Sequence, residues 1–251
     1  MYKKILFLKT TCQTTPMSVT QYAHSDRIAV ALDCIIFGFD QEGLKLLLVH
    51  RDIEPEKGKW ALIGGLLRRN ESLDEAAQRI LYQLTGLQNV YLEQLLAFGD
   101  VNRDPVERIV SVAYFALINV HQHDKELMKQ FGARWFLTDQ VPDLIFDHHQ
   151  MVQAAQDRLR QKASHRPIGF ELLPDKFTMP ELQRLYEAIY DTKLDKRNFQ
   201  RRILAMDILE RLDEKQRGMS KKGAYYYRFN QEKYQAMLKE GLRLVFKPKA
   251  F

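Results

Sequence analysis

Residues 64–87 read GGLLRRNESLDEAAQRILYQLTGL. The stretch opens on paired glycines, places Glu71 six residues after Gly65, and closes on Thr85, Gly86 and Leu87. Ser72 followed three residues later by Glu75 is the pattern of a capping box, so a helix begins here. Leu73, Ala76, Ala77, Ile80, Leu81 and Leu84 recur at helical spacing and give that helix one apolar face. Gly86 supplies its stop. Upstream, GKWALIGGLLRRNE (58–71) reads as strand, glycine turn and loop, where a backbone without side chains approaches a ligand closely.

On either side of this helix lie β-rich runs. RIAVALDCIIFGF (27–39) and LKLLLVHR (44–51), joined by the turn-like Asp40-Gln41-Glu42-Gly43, predict a hairpin. Val90 to Phe98 and RIVSVAYFALINV (108–120) predict further strands, and His148 to Lys162 a second helix. Strands with helices between and after them predict an α/β or α+β sandwich. ASHRPIGFELLP (163–174), with two prolines and a glycine, reads as a linker. The division expected is a disordered arm over 1–25, one domain over 26–163, a linker over 164–174 and a second domain over 175–251.

Composition narrows the class. The chain has 251 residues, 45% hydrophobic and 28% charged, as in ordinary globular proteins. No apolar run approaches the ~20 residues of a membrane helix, so no membrane partner is expected. The N-terminal MYKKILFLKTTC is too short in apolar residues for a signal peptide, and Met17 is an alternative start to Met1. Two cysteines, Cys12 and Cys34, make neither a metal-ligand spacing nor a disulfide framework, which places the chain in a reducing cytoplasm. The net charge of +6 is uneven: Arg166 to Phe251 holds 19 Lys and Arg against 12 Asp and Glu, so that third is +7 and the remainder −1. A basic appendage on a neutral body suits a polyanion.

The first domain resembles the Nudix family, whose box is G-x5-E-x7-R-E-U-x-E-E-x-G-U with U aliphatic. Gly65, Glu71, Arg79, Leu81, Gly86 and Leu87 fall on that pattern in register, but Ile80, Gln83 and Leu84 stand where the family carries three glutamates. In Nudix hydrolases those carboxylates hold a divalent metal on a diphosphate, and hard cations need oxygen ligands. The departure implies a pocket kept and a reaction lost, so no catalytic residue, metal ligand or cofactor is assigned. Asp74, Glu75 and Glu107 are the carboxylates from which a different metal site could be built.

The basic third carries its own pattern. In TMPELQRLYEAIYD, Thr178 and Glu181 form a second capping box, and Leu182, Leu185, Tyr186, Ile189 and Tyr190 an apolar stripe. After the turn Thr192-Lys193-Leu194, Asp195 caps KRNFQRRILAM, in which Phe199, Ile203 and Met206 face inward. Arg197, Asn198 and Arg201 lie on the other side, flanked by Lys196 and Gln200. Two helices and an Arg/Asn/Gln face predict a helix-turn-helix with its recognition helix in the major groove, where Arg suits guanine and Asn or Gln adenine. Ile208–Leu212 and Ala224–Phe229 then predict a hairpin whose loop, with Lys215, Arg217, Lys221 and Lys222, forms a basic wing.

From about Asp26 onward the chain resembles the Nudix-related transcription regulators, a degenerate Nudix domain fused to a C-terminal winged helix. LDCIIFGF, LYQLTGLQNVYLEQLLAFG, NRDPVERIVSVAY, LIFDHHQMV and LYEAIYDTKLDKRNF are similar to the arabinose-responsive AraR-like branch. That resemblance implies a homodimeric repressor in carbohydrate metabolism, bound to a palindromic double-stranded operator and released by L-arabinose. The sister branch controls NAD metabolism and senses ADP-ribose or a related nucleotide. Candidate effector-binding groups are Arg51, Trp60, Glu71, Arg103, Asp104 and Glu107; candidate DNA-binding groups are Lys196, Arg197, Asn198, Gln200, Arg201, Arg202, Lys221 and Lys222. The competing readings are a regulator of NAD metabolism that senses ADP-ribose, a Nudix hydrolase with a nucleic-acid-binding tail, and a module for single-stranded RNA.

Overall fold

The computed structural model describes residues 27–120, 131–165, 167–168, 172–216 and 223–239. The N-terminal arm and the wing tip, with Arg217, Lys221 and Lys222, lie outside the described residues.

Ten strands and five helices are described. In chain order they are β1 (Ala29–Phe39), β2 (Leu44–His50), β3 (Trp60–Ala61), β4 (Ile63–Leu66), α1 (Leu73–Thr85), β5 (Glu93–Phe98), β6 (Ile109–Asn119), β7 (Ala133–Leu137) and α2 (His148–His165). The rest are β8 (Phe177–Thr178), α3 (Met179–Tyr190), α4 (Lys196–Ala205), β9 (Leu209–Gln216), β10 (Ala224–Phe229) and α5 (Gln231–Lys239).

β1 to β7 build one mixed sheet in the order β3-β2-β1-β6-β5, with β4 paired to β1 and β7 to β2. Among the named strands of the described residues, β1 and β6 alone pair in parallel, running in register from Ala29 opposite Ile109 to Phe39 opposite Asn119. β1 is central and covered on both faces, which is why its sequence is a near-continuous apolar run. Leu32, Cys34 and Ile36 pack with Ala76, Ala77, Ile80 and Leu81 of α1. Ile35 and Phe37 point the other way and pack with Met151, Ala155 and Leu159 of α2. One helix on each face makes the expected α/β/α sandwich.

The caps behave as the sequence dictates. Ser72 and Glu75 form a reciprocal capping box, and Gly86 ends α1 in the left-handed region at φ 73°. Thr178 and Glu181 do the same for α3, which ends on a left-handed Asp191, and the Asp195 side chain accepts from the Asn198 N–H to start α4. β8, β10 and β9 form a three-stranded sheet beside these helices, completing a winged helix. Several boundaries differ from expectation: α2 runs to His165, β5 starts at Glu93, and β9 extends to Gln216, so Lys215 sits in a strand rather than in the wing loop.

The two domains share one apolar core. The α2 face of the large sheet is continuous with Leu172 and Leu173 of the linker and with Phe177, Leu182, Leu185, Tyr186, Phe199 and Ile203 of the second domain. At the seam the Asn119 side-chain amide donates to the Leu173 carbonyl at 3.0 Å.

Candidate functional site

The glycine loop is tied to α1 by one fork. Arg79 donates from Nε and Nη2 to the two carboxylate oxygens of Glu71 at 2.7 and 2.5 Å, and from Nη2 to the Leu66 carbonyl at 3.0 Å. The Arg68 N–H also donates to Glu71 at 2.8 Å. Hydrogen bonding by Arg79 pulls the Glu71 pKa down to about 2. Glu71, a candidate for effector contact, is therefore committed to holding the loop.

The positions that carry glutamates in the Nudix box lie along the same helix. Ile80 is buried against Gly65, where an added Cβ would meet it at 3.1 Å. Leu84 packs on the α1 core, and Gln83 accepts from Arg79 Nη1 at 3.1 Å. Asp74 accepts from the Tyr114 hydroxyl at 2.7 Å, and Glu75 serves the cap. Among the described residues no three His, Cys, Asp or Glu side chains gather as a metal site. This donor set does not fit the divalent ion of the hydrolases: two of the three positions are hydrocarbon and Glu71 is engaged by an arginine.

A second constellation forms around residues 144–148. Arg103 is buried and makes a bidentate pair with Asp147, Nε to Oδ2 at 2.9 Å and Nη2 to Oδ1 at 2.7 Å, and its Nη2 lies 3.8 Å from Asp33. Asp33 accepts from the Ser111 hydroxyl at 2.5 Å and sits 3.6 Å from His148 Nε2. The Leu62 N–H donates to His148 Nδ1 at 3.1 Å, which leaves the ring proton on Nε2, facing Asp33. Burial holds the His148 pKa below its ordinary value, while Asp33 and Asp147 oppose that shift.

Three sequence candidates converge on this segment. Arg51 lies 5.6 Å from the Phe146 ring centroid and donates from Nε to the Ile53 and Pro55 carbonyls. Trp60, edge-on to His50 and Phe136, accepts the Ile145 N–H on its carbonyl. Arg103 anchors the segment through Asp147. The others stand apart: Asp104 folds its own loop by accepting from the Val106 and Glu107 N–H groups, and Glu107 is exposed.

Asp33, Ser111, Asp147 and His148 escaped the sequence reading as site residues. Asp33 left a signal, being the lone charge in the run AVALDCIIFGF. The others left none, because their partners are 78, 44 and 86 residues away.

On the second domain, Phe199 and Ile203 of α4 are buried and Met206 packs partly against them. Lys196, Arg197 and Arg201 are exposed; Asn198, Gln200 and Arg202 are half-buried. Arg201 Nη2 donates to the Asn198 side-chain oxygen at 3.1 Å, so two candidate base-reading groups are held side by side. On the wing strands, Arg211 and Lys215 both lie over the ring of Tyr225, at 4.7 and 4.4 Å from its centroid.

Comparison with known proteins agrees with both halves. The model of the NUDIX domain matches residues 27–155, and that of the NrtR DNA-binding winged helix domain matches residues 169–229. The ADPR responsive transcriptional repressor NtrR of Acinetobacter baylyi is 36% identical over 222 residues, covering 86% of this chain and 88% of the relative. The ADP-ribose pyrophosphatase of Methanocaldococcus jannaschii is 31% identical over 125 residues, covering 50% of this chain and 71% of that protein. The crystal structure of Shewanella oneidensis NrtR complexed with a 27mer DNA is 29% identical, covers 86% of this chain and 97% of that one, and superposes with a TM-score of 0.72.

These findings overturn the expectation of an L-arabinose effector and of a role in carbohydrate metabolism. A relative alike over both domains responds to ADP-ribose, and no comparison supports the arabinose-responsive branch. The physical reason is that much of what those stretches contain is framework. LDCIIFGF is the buried central strand, and LYEAIYDTKLDKRNF is the helix-turn-helix, whose Leu185, Tyr186, Ile189 and Phe199 are core. Such residues specify the fold and leave the effector open. With a Nudix domain followed by an NrtR winged helix, the chain belongs to the NrtR family of Nudix-related transcription regulators.

Proposed function

We propose that this protein is a cytoplasmic, ADP-ribose-responsive transcriptional repressor that binds a palindromic duplex operator as a homodimer and leaves it when ADP-ribose occupies the Nudix domain. The observation that carries the reading is the likeness to an ADPR responsive repressor across both domains. The site chemistry agrees with it. Half-buried Phe146 offers aromatic surface for a base with Arg51 beside it, and Arg68 and Arg69 are cations on the loop before α1 for a diphosphate. The buried Asp33–Arg103–Asp147 cluster holds the segment that carries Phe146. Control of NAD metabolism, implied by this branch of the family, follows the effector.

Operator release is then a coupling free energy: ADP-ribose weakens DNA binding by the factor with which DNA weakens ADP-ribose binding. The test uses a labelled duplex selected from a random pool by the full chain. ADP-ribose should release it, and L-arabinose should not. Retention of the duplex at saturating ADP-ribose would end the proposal.

One observation favours a second reading, hydrolysis, namely the likeness to an ADP-ribose pyrophosphatase. Hydrocarbon at positions 80 and 84 opposes it. Incubation with ADP-ribose and Mg²⁺ decides: unchanged ADP-ribose supports the regulator, and release of AMP with turnover supports the enzyme.

A further inference from the structure

One helix reaches from the buried cluster to the helix that precedes α4. α2 begins in the buried cluster, with Asp147 just before its first residue bonded to Arg103 and with His148 bonded to the Leu62 N–H. Twelve residues on, about 18 Å along the axis, Arg160 donates from Nε to the Ile189 carbonyl at 3.2 Å. Ile189 lies in the last turn of α3, two residues before the left-handed Asp191 that ends it, and α4 starts five residues after that end. Arg160 is itself held by Asp157, whose carboxylate accepts from Nη1 at 3.0 Å. Between these ends Met151, Val152, Ala155 and Leu159 are buried against the sheet. Close-packed helices shift as units rather than bending.

The seam is also lopsided. On the α2 side the core is continuous across it. Elsewhere along it a groove of about 560 Å³ separates the β1–β2 turn and the end of β7 from α3 and the helix-turn-helix turn, with Gln41, Asp139, Arg184 and Thr192 among its walls. The Arg184 Nε in that wall is buried with no hydrogen-bond partner. A seam welded on one side and open on another permits rotation about the weld.

We infer that α2 is the lever that couples effector to operator: movement of its first turn in the effector cluster is delivered by Arg160 to the end of α3, and so to α4, with the groove giving the winged helix room to turn. This rests on the reading that the 144–148 constellation belongs to the ADP-ribose site. Arg160 touches neither ligand and acts as a positioning residue.

The test measures three quantities on the full chain and on Arg160→Met, which keeps the apolar stem: ADP-ribose affinity without DNA, affinity for the selected duplex without ADP-ribose, and duplex affinity at saturating ADP-ribose. Both separate affinities should stay within about twofold of the wild type, while the ratio of duplex affinities with and without ADP-ribose falls about tenfold towards one. Arg160→Lys, which retains a donor, should recover part of the ratio. An unchanged ratio overturns the inference, as does a loss confined to duplex affinity, which would mean that Arg160 merely holds the winged helix. Hydrogen exchange of the wild type gives a readout without mutation: ADP-ribose should change protection at residues 187–192, and no change there with ADP-ribose bound also overturns it. Failure of the wild type to bind ADP-ribose at all would instead remove the functional reading underneath.

Discussion

Arg79 grips Glu71 with a two-pronged fork, 2.7 and 2.5 Å from nitrogen to oxygen across eight residues, and so fastens the glycine loop to the helix that follows it. The pair has a pH signature. The Glu71 pKa falls from an ordinary 4.5 to about 2 on folding. A group depressed in the folded state contributes stability that is full above pH 4.5 and is lost as the pH falls towards 2. Glu71→Gln should therefore flatten the acid limb of a stability–pH curve between those values and leave its slope above pH 5 unchanged. Thermal melts of both proteins from pH 2 to 7 check this.

The buried cluster makes a larger prediction. Removing the guanidinium in Arg103→Met leaves buried Asp33 and half-buried Asp147 without their cation, a situation that costs about 3–5 kcal/mol. Urea unfolding at pH 7 measures it. The replacement Asp147→Asn should cost less, because an amide oxygen still accepts from Arg103.

Gly64 faces Asp33 across the β1–β4 pairing, and a Cβ at Gly64 would lie 2.2 Å from Asp33 Oδ1. Gly64→Ala should destabilise the chain by about 1–3 kcal/mol through overpacking. In a double-mutant cycle with Asp33→Ala the two losses should not add, since the second change removes the atom in the way. Additive losses would show that the strain lies in the backbone instead.

Recognition of the operator depends on α4. Arg201→Ala should cost about 1–3 kcal/mol of operator affinity and relax the preference at one base position. Because Arg201 and Asn198 are bonded to each other, Asn198→Ala should show coupling to it in a binding cycle. Lys222→Ala, by contrast, should weaken all duplexes alike and reduce the salt slope by about one. Binding measured over a series of salt concentrations separates the two behaviours.

The fold and its element types were written locally. Capping boxes at Ser72 and Thr178, the cap at Asp195, the glycine stop at Gly86 and the apolar stripes of α1, α3 and α4 act within a few residues along the chain, so spacing alone reveals them. The same locality made the order of Nudix frame and winged helix legible, along with the apolar residues at 80 and 84.

The effector site was legible only in part. Arg51, Trp60 and Arg103 could be picked as loop residues, but their meeting around 144–148 is made by pairings up to 86 residues apart. Asp33 faces Ser111 only because β1 and β6 run parallel in one register. The effector itself was misread, because conspicuous stretches such as LDCIIFGF serve the core, and core packing does not encode what the pocket holds. Local chemistry fixes which helices and strands form and where they stop. Which polar side chains face one another, and how the two domains share a core, is decided by sheet register and helix docking, which no short stretch of sequence contains.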